Sequence, residues 1–220
     1  MKKEQLKSAF RTLALKGLKK AALSPSKRAL DAKVNHALKT LLKELDPHSI
    51  LFFYPLPLEP DIRPTIALFR RQKRVRLYLP FMQDVSFKMV PLRLPLFTKK
   101  FGVKEPSFSH FNHHRVEVVV VPIVGTDRSL RRIGYGKGMY DRFFSRLQNK
   151  PITIFIARSL FFSPQIITQG YDVQADIIIT GDGALLKGNQ HDRVDYIKLP
   201  RLRALSRGRN LPCLQKGKQC

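Results

Sequence analysis

The sequence predicts an α/β fold with a mainly parallel central sheet flanked by helices and an N-terminal helical segment. Apolar residues first recur at helical spacing, as in Leu30, Val34, Leu38, Leu41 and Leu45. Past Asp46-Pro47 the pattern changes to short apolar runs at 50–54, 75–79, 116–121, 153–157 and 177–180. Helical or glycine-rich segments separate several of these runs, and strands alternating with helices are the pattern of a parallel sheet. A chain of 220 residues, 43% of them hydrophobic, can close one sizeable core.

In chain order, Leu6, Phe10 and Leu13 mark the apolar side of a first helix, and Lys3, Lys7 and Arg11 lie on a neighbouring face that reads as solvated. Ser24-Pro25 reads as an N-cap with proline at the first position of a second helix. The run 50–54 is bounded by prolines, as a buried strand would be. The proline-rich loop 55–64 carries Glu59 and Asp61, and a short helix over 65–71 leads to the strand at 75–79. Residues 81–115 hold several prolines and read as irregular. The run 116–121 is the strongest strand, closed by Pro122. A turn at 125–129, a glycine-rich loop, a helix over 139–147 and two last strands complete the pattern. From 187 onward Arg193, Lys198, Arg201, Arg203, Arg207 and Arg209 crowd a stretch with few core formers. The expected division is a domain over 1–186 and a basic, poorly ordered tail over 187–220.

Lysine and arginine number 41 against 16 acidic residues, a net charge of +25. Such a surface attracts polyanions, whether nucleic acid, a nucleotide or a polycarboxylate substrate. The two cysteines, Cys213 and Cys220, are in the tail and form no disulfide framework, so a cytoplasmic protein is expected. No apolar stretch follows the basic N-terminus, and none approaches the ~20 residues that span a bilayer, so no membrane association is expected. The expected state is a monomer. His110, His113 and His114 share a loop without cysteines and read as hydrated rather than metal-binding. Ser129 has no evident base partner in the sequence, so no serine nucleophile is expected.

The informative segment runs from Arg131 through Arg132, Ile133, Gly134, Tyr135, Gly136, Lys137, Gly138, Met139 and Tyr140 to Asp141. It follows the strongest strand and opens a helix. Alternate glycines let backbone N–H groups approach an anion closely, and a helix N-terminus adds positive potential. Arg132 and Lys137 add formal charge, and Asp141 can hold a magnesium ion. The spacing fits neither a Walker A loop nor the Rossmann fingerprint. On these grounds a phosphate cradle and a purely structural glycine turn stand level.

Arg132-x-Gly134-Tyr135-Gly136-Lys137-Gly138-x-Tyr140-Asp141 resembles the ATP-binding motif of the 5-formyltetrahydrofolate cyclo-ligase family. In that family the motif follows a strand ending in valine-proline and a turn with an aspartate, and here Val121-Pro122 and Asp127 stand in those places. Lys3-x-x-x-Lys7 is similar to the family's N-terminal lysine-x-x-x-arginine, and Leu23-Ser24-Pro25 to its leucine-serine-proline helix start. Glu59 with Asp61 and Pro64 resembles the loop whose glutamate touches folate. The segments 101–106 and 172–176 also have family counterparts, and the likeness covers residues 3–184. Lys7 stands for an arginine, about six extra residues separate it from Ser24, Met139 replaces a usual tyrosine, and Gly181-Asp182-Gly183 replaces a glutamate-glycine pair.

The resemblance implies that ATP activates the formyl group of 5-formyltetrahydrofolate and that ring closure yields 5,10-methenyltetrahydrofolate, ADP and phosphate. It implies catalytic roles for Arg132 and Lys137. ATP would lie on Lys3, Lys7, Arg132, Ile133, Gly134, Tyr135, Gly136, Lys137, Gly138, Met139 and Tyr140. The folate, with or without a polyglutamate chain, would lie on Glu59, Tyr54, Phe81 and Tyr140, with Phe53 a further aromatic candidate. Asp141 and Asp176 would hold Mg²⁺. Two other classes fit parts of the pattern. A basic nucleic-acid-binding protein fits the charge but lacks a recognition motif. A sugar-phosphate isomerase or CoA-transferase-like enzyme fits the cradle but makes no use of Glu59 and the aspartate pair.

Overall fold

The structure, a computed structural model, describes residues 3–99, 102–110, 113–187 and 194–197. In chain order it holds α1 (Lys3–Leu23), α2 (Lys27–Leu45), β1 (Ser49–Leu51), α3 (Arg63–Arg70), β2 (Arg76–Gln83) and β3 (Ser86–Pro91). Next come β4 (Phe97–Thr98), β5 (Lys104–Glu105), β6 (Val118–Pro122), β7 (Gly125–Asp127), β8 (Arg132–Ile133) and α4 (Met139–Phe144). The last elements are β9 (Ile152–Ile156), β10 (Phe162–Ser163), β11 (Ile177–Ile179), β12 (Ala184–Lys187) and β13 (Val194–Ile197).

The main sheet has eight strands in the order β13-β12-β11-β9-β6-β1-β2-β3. Its centre, β11-β9-β6-β1-β2, is parallel, and β3, β12 and β13 add antiparallel edges. Side chains alternate across it as the strand period of two requires. Ile50, Val118, Val120, Ile154, Ile156, Ile177 and Ile179 face one way, into a core with Val34, Leu38 and Leu41 of α2 and Ile66 and Phe69 of α3. Leu51, Val119, Val121, Phe155 and Ile178 face the other way, toward Phe143 of α4. Both faces are covered, so the central strands carry apolar residues at consecutive positions rather than only at alternate ones.

Three sequence expectations are corrected. In α1 the buried positions are Lys7, Ala14 and Leu18, while Leu13 is exposed. This helix is apolar or small on several sides, and close approach decides its docking: a Cβ on Gly17 would lie 2.3 Å from the Phe161 ring. The cap of α2 is Ser26 rather than Ser24, whose carbonyl accepts from Lys27 N–H at 3.0 Å. Residues 81–115 are irregular only in part: β2 runs on to Gln83 and pairs antiparallel with β3, and β4 pairs with β5. The prolines hid this hairpin, yet Pro80 lies past Tyr78, the last β2 residue paired with β1. Proline is tolerated where no inner neighbour needs its missing N–H. In the stretch expected to be a tail, β13 pairs antiparallel with β12 and extends the sheet, while Cys213 and Cys220 lie outside the described residues.

Candidate active site

Parallel strands align their carboxyl ends, and the segments leaving those ends form the crevice of an open α/β sheet. Here the segment after β1 carries Tyr54 and Glu59, β6 ends at Pro122, and the β8–α4 loop carries the glycines. Together with residues of β2 and β3 they enclose a pocket of about 340 Å³. The sequence-predicted residues Tyr54, Glu59, Arg132, Tyr135, Lys137, Gly138, Met139 and Tyr140 all line it.

Arg132 is the electrostatic centre. It is buried, its Nε and Nη2 donate to the Pro122 carbonyl at 3.1 and 3.0 Å, and its guanidinium carbon lies 4.6 Å from the Tyr140 ring centroid. Burial holds its pKa below the usual arginine range, and burial also pushes the Tyr140 phenol up. Among the described residues no carboxylate lies within salt-bridge distance of it. Asp141 and Glu59 act on it only at longer range, so its charge is left without a direct carboxylate contact. Gly134 belongs to this arrangement, since a Cβ there would lie 2.1 Å from Arg132 Nη1. Gly136 has φ +98°, a backbone region disfavoured for other residues. Arg142 donates to the carbonyls of Lys137 and Val85, tying the cradle to the β2–β3 hairpin.

Glu59 faces the same pocket. Its Oε2 accepts the Leu56 N–H at 2.8 Å. Burial raises its pKa to about 7, opposed by the Leu56 hydrogen bond and by the Arg132 charge. The pocket therefore sets the cations Arg132, Lys137 and Lys104 around one carboxyl, Glu59, whose pKa burial brings to about 7.

Asp141 lies in the first turn of α4, where its Oδ1 accepts the Val173 N–H at 3.0 Å. Asp176 is elsewhere: its Oδ2 accepts the Thr153 N–H at 2.9 Å. The strand register pairs Ile156, not Thr153, with Pro122 at the pocket. Asp176 thus sits three residues back along β9, roughly 10 Å at strand rise. Among the described residues no group of three or more His, Cys, Asp or Glu side chains could hold a metal. Magnesium bound with ATP needs only one or two carboxylates, since phosphate oxygens and water supply the rest. The donor set here, Asp141 beside the cradle, fits that mode.

Lys7 does not face the pocket. Its Nζ is buried and lies 2.7 Å from both oxygens of Asp172. The α1 cation at the cradle is Arg11, whose Nε donates to the Gly134 carbonyl at 2.9 Å and whose guanidinium lies about Gly136. Lys7-x-x-x-Arg11 has the same spacing as Lys3-x-x-x-Lys7 and ends in arginine, so the signal was present four residues further on. Lys3 is exposed at the first residue of α1. Ile133 is fully buried in β8 and serves the core. Phe81 packs on Phe108 with centroids 5.6 Å apart, away from the pocket. Its neighbours Pro80 and Met82 line the pocket instead, because successive strand residues face opposite ways. Asp127, the turn aspartate, is buried and accepts from Ser129 and Thr168, backbone and hydroxyl alike. Burial alone would raise its pKa, but these hydrogen bonds outweigh burial and lower it. That network makes it a turn brace, and it engages Ser129 as well.

The sequence profile of the 5-formyltetrahydrofolate cyclo-ligase family matches residues 3–181. The chain is similar to the 5-formyltetrahydrofolate cyclo-ligase of Mycoplasma genitalium, with 26% identity over 79% of this chain and 96% of that one. It is similar to that of Mycoplasma pneumoniae, with 28% identity over 80% and 99%. Among solved structures it resembles the 5,10-methenyltetrahydrofolate synthetase of Aquifex aeolicus, with a TM-score of 0.66 and 26% identity over 81% of this chain and 91% of that one. It also resembles the synthetase structure from Mycoplasma pneumoniae, with a TM-score of 0.62 and 25% identity over 79% and 97%. With the cradle, the pocket and a profile match over most of its length, the chain belongs to the 5-formyltetrahydrofolate cyclo-ligase family.

Proposed function

We propose that the protein converts 5-formyltetrahydrofolate to 5,10-methenyltetrahydrofolate, using ATP and releasing ADP and phosphate. The observation that carries this is buried Arg132, without a carboxylate partner among the described residues, facing one pocket with Glu59 and the glycine cradle. One end of such a pocket suits a phosphate chain and the other a ring bearing N–H donors.

The formyl oxygen attacks the γ-phosphorus, ADP departs, and the formyl carbon becomes an activated imidate. N10 attacks that carbon, loses its proton, and the phosphate leaves with the former formyl oxygen. Such phosphoryl transfer asks the protein for position and charge neutralisation rather than a nucleophile. Arg132, Arg11 and Lys137 meet the phosphate charge, and the cradle amides hold the chain in line. Lys3 would add charge at the rim. Magnesium, when bound with ATP, offsets charge on the phosphate oxygens and would be held by Asp141. Glu59 binds the pterin N–H groups as a carboxylate, and Tyr54 and Tyr140 bound the ring. Buried Phe87 on the pocket wall keeps water from the activated carbon, which favours ring closure over hydrolysis.

The test mixes purified protein with Mg-ATP and 5-formyltetrahydrofolate and follows the near-ultraviolet absorbance of the methenyl product. A rise that needs both substrates is expected. Folded protein that binds Mg-ATP yet gives no product would refute the reaction.

A further inference from the structure

We propose that Arg158, held by Asp31, is a positioning residue that sets Glu59 in the pocket; its link to folate rests on the function proposed above. Arg158 follows β9 and is fully buried. Its Nε and Nη2 reach the two carboxylate oxygens of Asp31 in α2, at 2.8 and 3.2 Å. The same guanidinium donates from Nη1 to the Leu58 carbonyl at 3.2 Å and from Nη2 to the Glu59 carbonyl at 2.7 Å. Its own carbonyl accepts the Gly181 N–H at 3.0 Å. One side chain thus ties a helix, a strand end and the Glu59 segment together.

The segment needs such a tie. Between the end of β1 and the start of α3 it has no strand or helix of its own. Locally it is closed by Glu59 N–H to the Leu56 carbonyl at 2.9 Å and by Leu56 N–H to the Glu59 carboxylate at 2.8 Å. That ring is complete in itself but says nothing about where it sits relative to the pocket. The α2 helix reads its position through Asp31 and, one turn on, Asn35, whose amide donates to the Asp61 carbonyl at 2.6 Å. Arg158 is the only described side chain donating to the backbone of both residues 58 and 59. Its planar fork can hold a carboxylate and two carbonyls at once, which a lysine cannot. A buried ion pair of this kind is weak grounds for stability and better grounds for fixing one arrangement over others.

The test is a cycle of R158K, E59Q and the double variant, with D31N as a second perturbation of the same tie. Equilibrium binding of 5-formyltetrahydrofolate and of Mg-ATP is measured for each. Misplacing Glu59 forfeits a charge-assisted hydrogen bond to the ligand, so a loss of at least about tenfold in folate affinity is expected for R158K. Mg-ATP affinity should stay within about twofold, since the cradle is not touched. In the E59Q background R158K should have no further effect, because it acts through Glu59. Equal losses for both ligands, or additive effects in the cycle, would overturn the proposal. If R158K does not fold, D31N with and without E59Q decides on the same criteria. Amide exchange provides an arm independent of folate: in R158K or D31N the Leu56 N–H should exchange at least about tenfold faster while α4 is unchanged. A wild type that binds Mg-ATP but no folate would remove the proposed substrate, and the exchange arm would then decide the role of Arg158.

Discussion

Replacing Glu59 by glutamine should make the protein's stability less sensitive to pH in a defined direction. The folded protein holds the Glu59 proton up to about pH 7, while the unfolded chain releases it near 4.5. Stability from this group is therefore intact below pH 4.5 and is lost as pH rises through 7. At 1.36 kcal/mol per pH unit, that interval corresponds to about 3 kcal/mol. Glutamine mimics the protonated carboxyl, and its Oε1 can still accept the Leu56 N–H. Other titrating groups cancel when the two proteins are compared. Urea unfolding of wild type and E59Q from pH 4.5 to 8.5 should give a stability difference that moves in favour of E59Q by about 3 kcal/mol, then levels off above pH 7. A difference constant across that range would refute the burial argument for Glu59. The same titration should appear in function, with folate affinity changing near pH 7 in wild type and not in E59Q.

D141N should keep its hydrogen bond to Val173 N–H and its fold, while turnover with Mg-ATP and 5-formyltetrahydrofolate falls on the order of 100-fold as charge stabilisation of several kcal/mol departs. R11A should weaken Mg-ATP binding by about tenfold or more, the worth of one hydrogen bond to a charged group; calorimetry with K3A alongside separates Arg11 from Lys3. K7M should lower unfolding free energy by about 3 kcal/mol or more, because it leaves Asp172 buried and unpaired. The double variant K7M/D172L should recover most of that loss, which denaturant curves would reveal.

The sheet was legible because its parallel centre is buried on both faces, and such strands read as plain apolar runs whatever their neighbours. All of the runs at 50–54, 75–79, 116–121, 153–157 and 177–180 correspond to strands β1, β2, β6, β9 and β11. The β2–β3 hairpin was hidden because an edge ribbon can carry prolines that would exclude a central strand. The cradle was legible because glycine spacing is a local property, and so was Glu59, through its loop.

Which cations and carboxylates share the pocket was not local. Helix α1 offers Lys3, Lys7 and Arg11 at equal spacing, and only its docking on Phe161 and Asp172 buries Lys7 and sets Arg11 at Gly134. Asp31, Arg158 and Glu59 are separated by 28 to 127 positions in pairs and show no shared pattern in the sequence. Phe81 and Met82 are adjacent, yet the pleat sends one away from the pocket and the other into it. By itself the sequence determined most of the elements, the family and the glycine loop, because periodicity and glycine freedom act within a few residues. Tertiary structure alone decided which charges are spent on one another and which remain for a ligand, because that depends on contacts between chain segments far apart.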